Sequence, residues 1–179
     1  MRNLSAGWWI AGGWAIELFV GRPLRDHSDL EIGCFRTDVE RVIAQFPGWV
    51  LMAAREKVLE PFSSQCLTDP TMFSIWCRPS RWDHWAIEIL LEDRDGQEWA
   101  YRRDGRVRRS VEDIVLHNQS GIPFLCPEIQ LLYKSKSPRP KDYFDFGEAW
   151  PMLGMCAKDW LANALRIASP SCAWNLKQC

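Results

Sequence analysis

Trp8-Trp9-Ile10-Ala11-Gly12-Gly13-Trp14-Ala15-Ile16-Glu17-Leu18-Phe19-Val20-Gly21, followed by Arg25-Asp26-His27-Ser28-Asp29-Leu30-Glu31-Ile32, reads as strand, glycine turn, helix, loop, strand. Trp8 to Ala11 is a short apolar run that stops at Gly12-Gly13, where backbone N–H groups can approach an anion because no Cβ intervenes. Trp14 to Val20 has apolar residues at helical spacing, Gly21 suits a left-handed helix end, and Pro23 prevents resumption. After the polar loop, Asp29 to Ile32 alternates with the period of a strand. Asp29 and Glu31 are therefore expected on one strand face, about 6.6 Å apart along it.

Hard divalent cations take carboxylate oxygens, and phosphates take both those cations and a glycine-rich turn. Singly, a Gly-Gly turn or an Asp-x-Glu strand is commonplace; their order and spacing here is specific. In that order the stretch resembles the signature of the nucleotidyltransferase superfamily that includes DNA polymerase β. The detail Gly12-Gly13-Trp14-Ala15, then Gly21-Arg22, then Arg25-x-His27-x-Asp29-x-Glu31 is most similar to the aminoglycoside 2''-nucleotidyltransferase branch and the related lincosamide nucleotidyltransferases. Similarity continues through Trp99–Asp104, Ile122–Lys134 and Arg139–Asp142 and covers most of the chain.

The resemblance implies an α/β (α+β) fold, a mixed nucleotidyltransferase sheet flanked by helices with a C-terminal helical extension. A catalytic core over 1–125 and a helical region over 126–179 packing on it are expected. It also implies Mg²⁺ as cofactor and ATP, or another nucleoside triphosphate, as co-substrate. Asp29 and Glu31 would hold metal, and Glu88, in Ile87-Glu88-Ile89, would complete the metal site and take the acceptor's proton. Glu92 is the reserve for that third carboxylate. Gly12 and Gly13 would present N–H groups to phosphate, while Arg25 and Lys134 are the phosphate-facing cations. Asp142 is expected to hold a substrate amine or pair with a lysine; His27 is expected to order its loop, since Mg²⁺ prefers oxygen. Glu31 and Glu88 stand where the best-known aminoglycoside enzymes have Asp. Members of the branch usually carry a helix ahead of the first strand, whereas here only a few residues precede it.

Composition limits the alternatives. The 179 residues suit one domain, or a core with a small helical extension. Lys plus Arg (22) against Asp plus Glu (23) gives a net charge of −1, so the chain lacks the basic signature of nucleic-acid binding and any anion site must be local. Seven scattered cysteines without a Cys-x-x-Cys pair indicate neither a disulfide framework nor a zinc cluster, and a reduced, cytoplasmic protein is expected. No membrane span or secretion leader is read. The eleven tryptophans offer flat surfaces for the core and for stacking on a base or sugar.

Beyond the opening unit, Thr37 to Glu40 predicts a capping box opening a helix to Phe46. Strands are predicted over 49–54, 72–77, 84–92 and 99–102. Glu88 stands among apolar neighbours, which costs several kcal/mol unless it is paired, binds metal, or lies on the wet side of an edge strand. Five arginines between Arg102 and Arg109 make either a solvated hairpin or a cationic rim. Ser110 is predicted to cap a single turn, helices follow from Pro127, Lys141 and Lys158, and the last ten residues read as a tail. Three function classes stay open: nucleotidyl transfer to a small hydroxylated molecule, a nucleotide-binding or interaction module with little turnover, and nucleotidyl transfer to RNA or protein.

Overall fold

The computed structural model describes residues 4, 7–55, 58–172 and 174. In chain order the elements are β1 (Trp8–Ile10), α1 (Gly12–Val20), β2 (Leu30–Phe35), α2 (Val39–Ile43), β3 (Val50–Arg55), β4 (Val58–Pro61), β5 (Ser74–Arg78) and β6 (Ile87–Glu92). The small strands β7 (Arg94–Asp95), β8 (Glu98–Ala100), β9 (Arg108–Ser110), β10 (Val115–His117) and β11 (Pro123–Leu125) follow. Helices α3 (Pro127–Lys134), α4 (Pro140–Ala149) and α5 (Met155–Ala168) close the chain.

Eight strands form one mixed sheet in the order β10-β11-β1-β2-β6-β5-β3-β4, with β7-β8-β9 as a separate three-stranded sheet. β1 runs antiparallel to β2, and β2 runs parallel to β6. That parallel register pairs Glu31 with Glu88, Gly33 with Leu90 and Phe35 with Glu92. Alternation sends Ile32, Cys34, Ile87, Ile89 and Leu91 to one face, where Val39 and Val42 of α2 help cover them. The same alternation leaves Glu31, Glu88 and Glu92 together on the other face.

That second face is covered by α1, α3 and α5 around a core containing Trp9, Ile16, Trp99, Ile129, Leu132 and Leu161. α1 ends as predicted: Gly21 adopts φ 81° and its N–H donates to the Glu17 carbonyl. α3 starts with Pro127 at its first turn, where a missing N–H costs nothing.

Several boundaries differ from the sequence reading. Asp29 precedes β2 instead of lying in it: its carboxylate accepts from the Ser28 hydroxyl, its carbonyl accepts from Trp14, and ladder bonding begins with the Leu30 N–H to the Ala86 carbonyl. The box at Thr37 does not form. Arg36 instead binds Asp93 and the Met72 carbonyl, and a 3₁₀ turn over Arg36–Asp38 leads into a five-residue helix. The Ser110 cap is present, accepting from the Glu112 N–H. Of the expected tail, Trp174 is buried and stacks on Phe146 at 4.6 Å between ring centroids. Residues 173 and 175–179 of that tail lie outside the described residues. Among the described residues no helix is long and apolar enough to cross a membrane.

Candidate active site

Two strands and the loop entering one of them deliver the acidic side chains. Glu31 and Glu88 are direct neighbours across the β2–β6 ladder, and Asp29 stands at the mouth of β2. All three line a cavity of about 770 Å³, together with Arg25, Trp76 and Lys134. A second cavity of about 330 Å³ shares Glu31, Glu88, Lys134 and Arg139, and adds Tyr133 and Arg102. The acid pair thus forms a divide between two spaces. Burial pushes the Glu88 carboxyl up to about 7; the charges of Glu31 and Asp29 add to the rise, while Ser74 and Arg102 oppose it.

Glu92 lies farther along β6, and its Oε2 accepts from the Trp99 indole at 2.9 Å and the Tyr133 hydroxyl at 2.7 Å. Burial raises its pKa, and both hydrogen bonds counter that. Glu88, not Glu92, is the acid beside Glu31.

The two glycines make room for the functional side chains. Gly12 has φ +66°, and a Cβ there would fall 1.3 Å from Glu31 Oε2. At Gly13 a Cβ would fall 2.1 Å from Arg25 Nη2 and 2.4 Å from His27 Cε1. The Gly12 N–H, expected to face phosphate, donates at 2.7 Å to Gln130 Oε1.

The expected phosphate-facing cations are joined in one network around the buried Asp142 and Asp145. Arg25 grips Asp145 with two hydrogen bonds of 3.0 Å, and Lys134 contacts Asp142 at 3.0 Å and Asp145 at 2.8 Å. Arg139 closes on Asp142 at 2.9 Å. Asp142 therefore pairs with a lysine, one of its two expected roles. Burial works to raise the pKa of Asp142 and Asp145, but their cationic partners hold both below the usual carboxylate range. Glu17 lies behind Arg25 as a third carboxylate of this network, and Arg25, Lys134 and Arg139 line the same cavity as Asp29, Glu31 and Glu88.

Only part of the arginine run reaches this region. Arg106 pairs with Asp104, Arg108 with Asp95 and Glu98, and Arg109 with Glu128. Arg102 and Arg103 line the smaller cavity.

Carboxylate oxygens are the donors a hard divalent ion takes, and three of them share one cavity wall, so the donor set suits Mg²⁺ in kind. Among the described residues, no three His, Cys, Asp or Glu side chains converge into a ready ion cage. The Glu31 carboxylate occupies the space that a Cβ at residue 12 would fill. Glu17, Gln130 and Asp145 went unnoticed in the sequence. Glu17 is the one charge within an otherwise apolar helix, and Asp145 lies one helical turn beyond Asp142, but neither signal names a partner.

A family model described as aminoglycoside-2''-adenylyltransferase matches residues 1–148. Curated 2''-aminoglycoside nucleotidyltransferases of Escherichia coli and Klebsiella pneumoniae are each 31% identical over 91 residues, covering 49% of this chain and 46% of theirs. The chain thus spans about half the length of the curated relatives it matches. Among solved structures, lincomycin-bound lincosamide antibiotic adenylyltransferase LnuA aligns with a TM-score of 0.58 at 16% identity, over 85% of this chain and 90% of that one. ANT(2")-Ia in complex with adenylyl-2"-tobramycin aligns with a TM-score of 0.56 at 14% identity, over 92% and 89%. These two share the nucleotidyltransferase fold with this chain, and with the family model matching residues 1–148 the chain belongs to the aminoglycoside-2''-adenylyltransferase family.

Proposed function

We propose that the protein is a Mg²⁺-dependent nucleotidyltransferase that moves AMP from ATP to a hydroxyl of a small acceptor such as an aminoglycoside or lincosamide. The observation that carries this reading is the pair of cavities meeting at Glu31 and Glu88, which gives two ligands access to one acidic centre in a member of this family. The antibiotics bound by LnuA and ANT(2")-Ia motivate the choice of acceptor. The reaction belongs in the cytoplasm, in keeping with the free state of all the described cysteines.

Asp29, Glu31 and Glu88 would hold the divalent ion, which when bound neutralises phosphate charge. The acceptor oxygen attacks the α-phosphorus, the bond to pyrophosphate breaks, and Glu88 receives the hydroxyl proton. The cations Arg25, Lys134 and Arg139 stabilise the departing pyrophosphate, with Asp145 and Asp142 fixing them in place. Gly12 and Gly13 serve by leaving space for Glu31, Arg25 and His27, and the Gly12 N–H meets phosphate once Gln130 releases it. The assignment of 1–125 as the catalytic core and 126–179 as a helical region packing on it belongs to the same proposal.

Incubation with ATP, Mg²⁺ and an antibiotic panel should yield a nucleotide adduct by mass spectrometry and one pyrophosphate per adduct. No adduct with any antibiotic, beside clear labelling of RNA or protein, would sink the small-molecule reading. A second reading, nucleotide binding with little turnover, is favoured by the internal pairing of Lys134 and of the Gly12 N–H. Calorimetry with a non-hydrolysable ATP analogue separates the two: binding without turnover on any acceptor supports the second.

A further inference from the structure

Glu17 is the sole charged residue of α1 and is 7% exposed. Its Oε1 accepts three hydrogen bonds: from the Leu24 N–H at 2.9 Å, the Arg25 N–H at 3.1 Å and His27 Nε2 at 2.8 Å. Every donor belongs to the segment joining α1 to β2. Burial works to raise the Glu17 pKa, and the hydrogen bonds from Leu24, His27 and Arg25 overcome it, holding the group below the usual carboxylate range.

The His27 ring extends this grip. Its Nδ1 lies 3.1 Å from Arg25 Nη1, and a guanidinium only donates, so Nδ1 accepts and the ring proton sits on Nε2, given to Glu17. The ring stacks on Trp14 at 4.4 Å, and Trp14 Nε1–H donates to the Asp29 carbonyl at 3.1 Å. α1 therefore holds the segment at Leu24, Arg25, His27 and Asp29, the last three of which line the larger cavity.

We infer that Glu17 is a positioning residue that, through one carboxylate oxygen and the His27 ring, sets Arg25 and Asp29 in the cavity wall. The inference rests on the reading of Asp29 as a metal ligand and adds the residue that aims it. Because all three donors converge on one oxygen, Glu17→Gln can keep the acceptor while Glu17→Met cannot.

The test titrates Mn²⁺ alone, followed by electron paramagnetic resonance, with amide hydrogen exchange at Leu24 and Arg25 as a second readout. Glu17→Met should weaken Mn²⁺ binding by about 10–100-fold, as loss of a ligand-orienting partner does. It should also accelerate exchange at both amides. Glu17→Gln should stay within about threefold of the unsubstituted protein, since the net hydrogen bonds survive. His27→Phe keeps the ring on Trp14 and both backbone bonds to Glu17, so it covers the case in which Glu17→Met does not fold. It should weaken Mn²⁺ binding by about tenfold while lowering the melting temperature only as far as the loss of one hydrogen bond to a buried carboxylate requires. Wild-type Mn²⁺ affinity in a folded Glu17→Met, or in His27→Phe, overturns the inference, as does a Glu17→Gln as impaired as Glu17→Met. If the unsubstituted protein binds no Mn²⁺, the metal reading of Asp29 fails and the inference falls with it.

Discussion

Glu88→Gln tests the electrostatics of the column of acids made by Asp29, Glu31 and Glu88 along one cavity wall. Burial, reinforced by the charges of Glu31 and Asp29, lifts the Glu88 pKa from 4.5 to about 7. A carboxyl with a raised folded pKa holds its proton more tightly folded than unfolded. The stability it contributes is complete below 4.5 and disappears as pH climbs through about 7. At about 1.36 kcal/mol per unit, the rise corresponds to about 3 kcal/mol, most of it lost between about pH 5 and pH 8. Asp142 and Asp145 act with the opposite sign, losing stability as pH falls below the ordinary 3.8, and both proteins share that loss. In urea unfolding with EDTA, Glu88→Gln should therefore gain about 2–3 kcal/mol on the unsubstituted protein between those two pH values. Mg²⁺ added at the higher pH should narrow the gap. A difference that is the same at both pH values would refute the column's mutual repulsion and desolvation.

Gly12→Ala should lower stability by about 1–2 kcal/mol for the left-handed backbone alone. It should also weaken Mn²⁺ binding, because the new methyl takes the place of the Glu31 carboxylate; thermal melting and a Mn²⁺ titration check the two effects. Lys134→Met leaves Asp142 and Asp145 facing only Arg139 and Arg25, and a cost of about 3 kcal/mol in urea unfolding is expected from breaking a buried pair. The same variant should raise the KM for ATP, because Lys134 is one of the cations proposed to hold the phosphates.

The opening unit was legible because its signals are local. Gly21 ends α1 where sequence chemistry asked for a left-handed residue, and the alternation of Leu30, Glu31 and Ile32 gave the face on which Glu31 emerges. The position of Glu88 opposite Glu31 was not readable in itself, since it depends on the parallel pairing of strands far apart in sequence. The ion network was hidden for the same reason: Arg25 and Asp145 are 120 residues apart, and Gly12 and Gln130 are 118. The family resemblance marks Lys134 as a phosphate-facing cation, yet its burial requires it to carry counter-charges, Asp142 and Asp145, with it. Thr37 had the composition of a cap and lost to Arg36, whose bonds to Asp93 and Met72 set the local backbone.

The central claim is that Asp29, Glu31 and Glu88 form a metal-dependent transfer centre, and Asp29→Asn tests it most directly. The substitution preserves shape and removes charge at a half-buried position outside the β2 ladder, so melting temperature and circular dichroism should not change. Nucleotide-adduct formation at saturating Mg²⁺ and ATP, read by mass spectrometry, should fall by about a thousandfold or more as several kcal/mol of transition-state stabilisation are lost. Unaltered adduct formation by Asp29→Asn at saturating Mg²⁺ would contradict the account.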